Sequence, residues 1–147
     1  MELRRARKGD VAAIVALYAD DALGAARETP AALDGYYAAF DAIDRDANQE
    51  LVVAVADGAV VGTFQLTFIP QLGHGGRTVA QIEAVRILAP LRGRGLGAEM
   101  MRWAIDRART AGCLRVQLTS NKERARAQRF YERLGFARSH EGFKLYL

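Results

Sequence analysis

The chain has 147 residues, 50% of them hydrophobic, and a formal net charge of +4 at pH 7. This length and composition can fill one core, so we expect a single domain over residues 1–147. It has no apolar run of about 18 residues that would span a membrane, and its N-terminus lacks the apolar middle of a signal peptide. The single Cys113 excludes an internal disulfide, and with only two separated histidines it argues against a metal site. We therefore expect a cytoplasmic protein with no metal and no membrane contact.

The positive charge is concentrated in arginines at 92–94, 102–109 and 124–133. The last two groups lie on predicted helices that also carry acidic residues, which is typical of solvated helix faces. The first lies in a glycine-rich turn, where a small polyanion is the simpler ligand. Nucleic acid is therefore not expected to be the main partner.

The first third of the chain predicts one strand and two helices. A strand is expected over residues 3–6, followed by a helix with Asp10 as N-cap that fades by Gly24. A second helix is expected to begin at Thr29 and Pro30, since threonine caps helices and proline suits the first helical position.

A β-hairpin is predicted next. Two apolar runs, 51–56 and 60–69, flank Asp57-Gly58, a dipeptide typical of tight hairpin turns. Pro70 ends the second run, and residues 71–77 form a glycine-rich loop.

The central stretch of the chain predicts a strand, a basic turn and a helix in that order. The strand ends near Leu88, because Pro90 cannot donate a ladder hydrogen bond. Glycines at 93, 95 and 97 follow, and apolar residues at helical spacing predict a helix from Gly95 to Ala111. Such a turn leaves backbone amides unpaired at a positive helix terminus, which favours a phosphate or pyrophosphate.

The remaining residues predict a strand over 113–119, a helix over 123–134 and closing strands at 136–138 and 143–147. The element order favours a mixed sheet with helices on both faces. A P-loop is excluded, because no Gly-x4-Gly-Lys-Ser/Thr run exists. The turn satisfies the dinucleotide pattern Gly-x-Gly-x-x-Ala, but the next strand lacks the acidic residue that this pattern requires.

Two blocks carry a family resemblance: Arg92-Gly-Arg-Gly-Leu-Gly97, and Ala127-Gln-Arg-Phe-Tyr-Glu-Arg-Leu-Gly-Phe136. In this order and at this spacing they resemble the GNAT superfamily of acetyl-CoA-dependent N-acetyltransferases. The resemblance covers residues 51–147 well and the earlier ones only in outline. It implies an α/β (α+β) GNAT fold, with a mixed central sheet of six to seven strands flanked by about four helices. Two parallel strands of that sheet would splay into a wedge for acetyl-CoA.

The resemblance also implies how the cofactor would be held. The pantetheine arm would bond to the backbone of Val85, Arg86 and Ile87, as an extra strand does. The pyrophosphate would lie on a run of backbone amides, with the Arg92 side chain beside it: Gly93, Arg94, Gly95, Leu96, Gly97 and Ala98. Many family members have Asn seven residues before the tyrosine of the second block, which is Tyr131 here. This chain has Arg124 at that position. Arg124 would meet the 3′-phosphate or the pyrophosphate instead.

Two residues are the candidate catalytic groups. Glu83 precedes the cofactor-binding backbone, where many enzymes resembling this one have a carboxylate that acts on the amine directly or through water. A buried ion pair with an arginine is the alternative, since an unpaired glutamate within an apolar strand is costly. Tyr131 matches the family's general acid for the departing thiolate, with packing of its ring as the alternative.

The acceptor side of the site is the part least defined by the sequence. Tyr36 and Tyr37 are candidate substrate contacts, and a helix face packed on the sheet is the alternative. His74, in the loop, is a third candidate contact or simply an exposed residue.

Three functions remain open from the sequence. The first is an acetyltransferase acting in a ternary complex, with a small-molecule or peptide amine attacking acetyl-CoA directly. The second is a catalytically silent CoA-binding module. The third is an acetyltransferase for a nucleic-acid-linked or protein amine. The resemblance is also compatible with a homodimer.

Overall fold

The centre of the sheet is a hairpin of two long strands. The computed structural model describes residues 1–20 and 22–147. Strands β2 (Gln49–Ala56) and β3 (Ala59–Ile69) pair antiparallel. They are joined at Asp57 and Gly58, which both have positive φ, 49° and 78°. The predicted hairpin is therefore confirmed, with the turn chemistry that tight hairpins require.

Five strands form the sheet in the order β1-β2-β3-β4-β5. Strand β1 is Glu2–Arg5, β4 is Val79–Ile87 and β5 is Val116–Leu118. The first four strands pair antiparallel, and β5 pairs parallel to β4. The predicted mixed sheet is confirmed.

Helices cover both faces of the sheet. In chain order they are α1 (Val11–Ala19), α2 (Ala22–Ala25), α3 (Asp34–Arg45), α4 (Gly73–Gly76), α5 (Leu96–Thr110) and α6 (Ala125–Arg133). Alternate residues of β2 separate two cores, because successive strand side chains point to opposite faces. Val52 and Ala54 pack with α5, whereas Leu51 and Val53 pack with α1 and α3.

The second predicted helix corresponds to α3, which begins later than the sequence predicted. It starts at Asp34, with Leu33 as its cap residue, and not at Thr29 and Pro30. The reason is local: the Ala32 amide bonds to the Thr29 carbonyl in a turn. The first helix, α1, ends at Ala19, and part of the predicted extension toward Gly24 lies outside the described residues.

The strand count is also smaller than predicted. The described residues form five strands instead of six to seven, and β5 is shorter than the predicted 113–119. Residues 136–147 contain neither closing strand. A strand requires a neighbour for its backbone hydrogen bonds, and the end of this segment is fully exposed.

Within the described chain, no helix combines the length and the apolarity needed to cross a membrane.

Candidate functional site

The two parallel strands of the sheet separate after a short contact. Strand β4 pairs with β5 only from Ala80 to Ile82, opposite Val116 to Leu118. Beyond Ile82, β4 continues for five residues to Ile87, still paired with β3. Its edge toward β5 is therefore open from residue 83 onward. An extended ligand with amide groups can pair with such an edge as an added strand does.

A β-bulge marks the point where the strands separate. Gln65 of β3 pairs with Glu83, and Thr63 pairs with Arg86, so β4 contains one extra residue over this interval. Ala84, within the bulge, has a φ of 53°. A non-glycine residue in this left-handed region is strained, and bulges of this kind are frequent beside active sites.

The bulge determines which side chains share a face. Because cross-strand partners lie on one face, Glu83 and Arg86 lie on the same side as Gln65 and Thr63. Val85 and Ile87 pack instead against the core that contains α5. Without the extra residue, Arg86 would point toward that core.

Along the open edge, two carbonyl groups of β4 accept hydrogen bonds from arginine side chains. The Val85 carbonyl accepts a hydrogen bond from Nη1 of Arg86 at 2.9 Å, and the Ile87 carbonyl accepts one from Nε of Arg92 at 2.9 Å. The Leu88 amide bonds to β3. Since backbone groups alternate in direction along a strand, residues 85 and 87 direct their backbone groups away from β3, toward the open edge.

The glycine-rich turn ends in the first residues of α5. Gly93 and Gly95 have φ values of 80° and 88°, and Gly95 is the N-cap residue. The first intrahelical bond runs from the Glu99 amide to the Gly95 carbonyl. The amides of Leu96, Gly97 and Ala98 consequently have no partner within the helix. Nothing lies within 4 Å of a Cβ placed on Gly95, so the space before these amides is open.

Gly97 has a packing role within the same turn. A Cβ at this position would meet Cδ1 of Ile87 at 3.0 Å and Cζ of Phe130 at 3.1 Å. A larger residue at this position would therefore push the side chains of Ile87 and Phe130 back by a few tenths of an ångström, so glycine lets the start of α5 pack closely on both β4 and α6.

Two arginines near the turn have different surroundings. Arg92 bonds through Nη2 to Asp20 at 2.8 Å, in addition to its contact with Ile87. Arg126, on α6, reaches the turn itself, and its Nη2 lies 3.4 Å from a Cβ placed on Gly93. Arg126 was not among the site residues predicted from the sequence. Its position on the helix that begins beside Arg124 was the available signal.

Glu83 is exposed, so the premise that it is buried in the strand is wrong. Its Oε1 accepts a hydrogen bond from the Gln81 side chain at 3.2 Å. Glu83 lies on the face opposite Ile82, at the point where β4 loses its β5 neighbour, and its side chain is not covered there. The alternative of a buried ion pair therefore fails, and Glu83 is accessible to a ligand and to water.

Tyr131 is half-buried on α6, beside the rings of Phe130 and Phe136 at centroid distances of 5.1 and 5.9 Å. Burial raises the pKa of Tyr131 above its ordinary value, and the positive charges of Arg86 and Arg124 partly oppose this. The hydroxyl therefore remains protonated at neutral pH and can donate a proton or a hydrogen bond. Arg86 and Arg124 are both close enough to act on it.

The candidate acceptor residues lie in different surroundings. Tyr36 borders a small cavity against the sheet and donates its hydroxyl to Glu28 at 2.9 Å. Tyr37 packs on the core of α1 and α3, with Nζ of Lys8 6.0 Å from its ring centre. His74 is exposed in the short α4 turn, with a φ of 53°.

Tyr18, on α1, is a further residue that lines this cavity. It lies beside Tyr36 and Gln65. Burial raises the pKa of Tyr18 to about 12, although the charge of Arg86 opposes the shift. Arg86 therefore acts on the hydroxyls of both Tyr18 and Tyr131, which connects the cavity to the open end of β4.

A mixed sheet in which a bulged, open-edged strand precedes a glycine-rich helix start places this chain in the α/β class. A model of the acetyltransferase (GNAT) family matches residues 8–136. The chain therefore belongs to this family, as its two sequence blocks indicated.

Three relatives illustrate the similarity. An aminoalkylphosphonate N-acetyltransferase from Salmonella typhimurium LT2 is 35% identical over 98 residues, which are 67% of this chain but only 63% of that protein. A transcriptional regulator from Bacillus halodurans C-125 is 44% identical with a TM-score of 0.95, covering 99% of both chains. An acetyltransferase from Trypanosoma brucei is 31% identical with a TM-score of 0.82, also covering 99% of both.

Proposed function

We propose that this protein is an N-acetyltransferase that transfers the acetyl group of acetyl-CoA to a primary amine in a ternary complex. The observation that carries the proposal is the open edge of β4 from Glu83 to Ile87, which leads to the glycine turn. Membership of the acetyltransferase (GNAT) family supports it.

The residues present fit acetyl-CoA in two places. The backbone of Val85 and Ile87 faces an open edge that suits the amides of a pantetheine arm. The unpaired amides from Leu96 to Ala98, the open space at Gly95 and the nearby Arg126 suit its pyrophosphate. The Arg92 side chain can contact the pyrophosphate only if it releases Asp20, with which it forms an ion pair.

Acetyl-CoA would supply an acetyl thioester, and residues of this chain would accept and donate the protons. Glu83 is exposed beside the open edge and takes a proton from the acceptor ammonium, directly or through water, which frees the nitrogen lone pair. The neutral amine nitrogen would then form a bond to the acetyl carbon as the carbon–sulfur bond breaks. The nitrogen loses its second proton in this step, which balances the proton gained by the departing thiolate, so the products are the amide and the free CoA thiol. Tyr131 donates a proton or hydrogen bond to the leaving sulfur, since burial keeps its hydroxyl protonated.

The acceptor is proposed to be a small amine that enters from the face shared by Glu83, Arg86 and Gln65. Aminoalkylphosphonates form one class to test, because a relative that is 35% identical carries that name. Polyamines, amino sugars and peptide N-termini form the comparison classes.

The direct test measures release of free CoA thiol from acetyl-CoA against these four classes of amine, with product mass determined by mass spectrometry. We expect thiol release that depends on the amine, with a gain of one acetyl group on its nitrogen. Binding of acetyl-CoA by calorimetry with no turnover on any class would contradict the proposal.

One observation favours a second candidate, a regulatory module that binds CoA. The relative from Bacillus halodurans, at 44% identity, is named a transcriptional regulator. Under this alternative, acetyl-CoA binding should alter association with another macromolecule while no acetyl group is transferred. The same thiol-release assay separates the two candidates.

A further inference from the structure

Arg86 lies in the bulged part of β4, where the strand turns its side chain away from the core that contains α5. It pairs opposite Thr63, on the face that also carries Glu83 and Gln65. The side chain is half-buried and donates through Nη1 to the Val85 carbonyl at 2.9 Å. Arg86 therefore faces the side from which an acceptor is proposed to enter.

The guanidinium of Arg86 lies between the acceptor side and the cofactor side of the site. Thr63, its cross-strand partner, interacts with the hydroxyl of Tyr18 on α1. The charge of Arg86 acts on Tyr18 and on Tyr131 of α6, where it opposes the rise in pKa that burial causes. One side of Arg86 is thus the small cavity beside Tyr18, and the other is the position proposed for the thioester sulfur.

We propose that Arg86 binds an acid group of the acceptor, so that the preferred acceptor is a short amine that also carries a carboxylate or a phosphonate. This inference rests on the proposed function, in which Glu83 receives the proton of the amine. A guanidinium presents several N–H donors in a planar fork, which matches the paired oxygens of either acid. Arg86 would bind the acid by adding to its present contacts or by exchanging one of them.

The spacing of Glu83 and Arg86 favours a short acceptor. These residues lie opposite Gln65 and Thr63, which are two positions apart on β3. Two positions of a strand span about 7 Å. A carboxylate and a guanidinium at this spacing on one face match a molecule in which few carbon atoms separate an ammonium from an acid.

Glu28 is the carboxylate that a purely structural Arg86 would serve. It accepts hydrogen bonds from Arg27 at 2.6 Å and from the Tyr36 hydroxyl at 2.9 Å. Burial raises the pKa of Glu28, but Arg27, Tyr36 and the charge of Arg86 together hold it below its ordinary value. An Arg86 that only stabilised Glu28 would affect all acceptors alike, whereas an Arg86 that binds the acceptor's acid would affect those that carry one.

The first test compares kcat/KM, from thiol release, for amines of similar size. β-Alanine and 2-aminoethylphosphonate carry an acid, and propylamine does not. We expect the wild type to prefer an acid-bearing amine, and the better of the two identifies the bound group as carboxylate or phosphonate. In Arg86→Gln, the ratio of kcat/KM for that amine to kcat/KM for propylamine should fall by roughly 10–100-fold, the contribution of one charge-assisted contact.

A ratio is used because changes in folding or cofactor affinity act on all acceptors and cancel. Arg109→Gln, at the exposed end of α5, is the matched control and should keep the wild-type ratio. Arg86→Lys keeps the charge but loses the planar fork, so its ratio should fall by a smaller factor, and it replaces Arg86→Gln if that variant does not fold. A wild type without preference, or an unchanged ratio in the Arg86 variants, would overturn the inference and leave the acetyltransferase function intact.

The second test does not depend on turnover. Melting temperatures are measured with CoA and each of the three amines at one constant ionic strength, since a ligand of the folded protein raises this temperature. We expect a rise with an acid-bearing amine in the wild type and in Arg109→Gln, and a smaller rise or none in Arg86→Gln. If this pattern appears without thiol release on any amine, acid recognition by Arg86 stands and the acetyltransferase proposal fails. If neither acid raises the melting temperature of the wild type more than propylamine does, the inference is overturned whether or not acetyl transfer occurs.

Discussion

The two ends of β4 differ in nearly every property, although they belong to one strand. At the paired end, Val79–Ile82, the strand has neighbours on both sides, and Val79, Ala80 and Ile82 are fully buried. At the open end, Glu83–Ile87, it has a bulge, one neighbour and an exposed glutamate. A change in pairing therefore accounts for the difference.

This comparison shows how one strand can both stabilise the fold and hold a ligand. The paired end satisfies its backbone within the sheet, so substitutions there should change stability. At the open end, backbone groups bond to side chains and remain accessible to a ligand. Substitutions there should therefore change binding and turnover. The predictions below use this contrast, starting from the largest expected effect.

Gly95→Glu should abolish detectable acetyl-CoA binding while the protein remains folded. A carboxylate would then stand in the open space before the amides at the start of α5, where an anionic pyrophosphate is proposed. Calorimetry measures the affinity, and thermal unfolding measures the fold.

Gly58→Glu is the matched control for this change. Gly58 also has positive φ and open space around it, but it lies in the β2–β3 turn. Both variants should lose about 1–2 kcal/mol of stability from the left-handed backbone, and only Gly95→Glu should lose binding. Equal affinities in the two variants would exclude the glycine turn as the pyrophosphate site.

Glu83→Gln should reduce the rate of acetyl transfer by roughly 10²–10⁴-fold, the usual contribution of a general base. Because Glu83 is exposed and bonds only weakly to Gln81, the melting temperature should hardly change. The loss should shrink as pH rises, since a larger fraction of the amine is then already neutral. A pH–rate profile with the same shape in both proteins would contradict the catalytic role.

Ile82→Val provides the contrasting change one residue earlier. Ile82 is fully buried at the paired end, so loss of one methylene should cost about 0.5–1.5 kcal/mol of unfolding free energy. The kcat per folded molecule should remain that of the wild type. A large fall in kcat here would mean that the two ends of β4 do not have separate roles.

The sequence predicted the elements around the glycine turn because they depend on local signals. Pro90 ends the strand, Gly95 has the positive φ of a helix cap, and Gly112 ends α5 at a φ of 71°. The bulge could not be predicted in this way. Ala84 has no preference for its φ of 53°, which the pairing of β4 with β3 imposes. The exposure of Glu83 was missed as well, because it depends on which parts of the sheet other elements cover.

The helix start at Thr29 and Pro30 and the closing strands at 136–138 and 143–147 were predicted wrongly for two different reasons. Thr29 and Pro30 fit a helix start, but the amide of Thr29 bonds to the hydroxyl of Tyr36 at 2.9 Å, seven residues later. Residues 143–147 have the alternating pattern of a strand, but no strand of the described residues pairs with them, and the pattern alone does not supply the backbone partners that a strand needs. Arg126 was missed because only folding brings α6 to the glycine turn.

Tyr131→Phe should lower kcat by roughly 10²-fold, the lower end for a general acid, and change the KM for acetyl-CoA far less. The ring and its contacts with Phe130 and Phe136 are retained, so only the hydroxyl is lost. Burial raises the pKa of Tyr131 above its ordinary value near 10. The protonated donor is thus present throughout the neutral range, and the wild type should show no alkaline loss from this residue below about pH 10.

Changing the leaving group of the thioester tests whether Tyr131 acts as a proton donor. An acetyl thioester of a more acidic thiol needs less help from a proton donor, so the penalty of Tyr131→Phe should shrink with such a donor. An equal penalty for both donors would assign Tyr131 to packing alone.

Arg126→Gln should weaken acetyl-CoA binding by about tenfold, which corresponds to about 1.4 kcal/mol for one charge-assisted contact. Arg133→Gln, at the exposed other end of α6, is the matched control and should bind normally. The loss should diminish at high salt, which screens exposed charges.

Because Arg126 lies beside Gly93, its partner should be the pyrophosphate and not the 3′-phosphate. Calorimetry should therefore give the same tenfold loss with acetyl-dephospho-CoA, and a loss that vanishes with this analogue would place the 3′-phosphate at Arg126 instead.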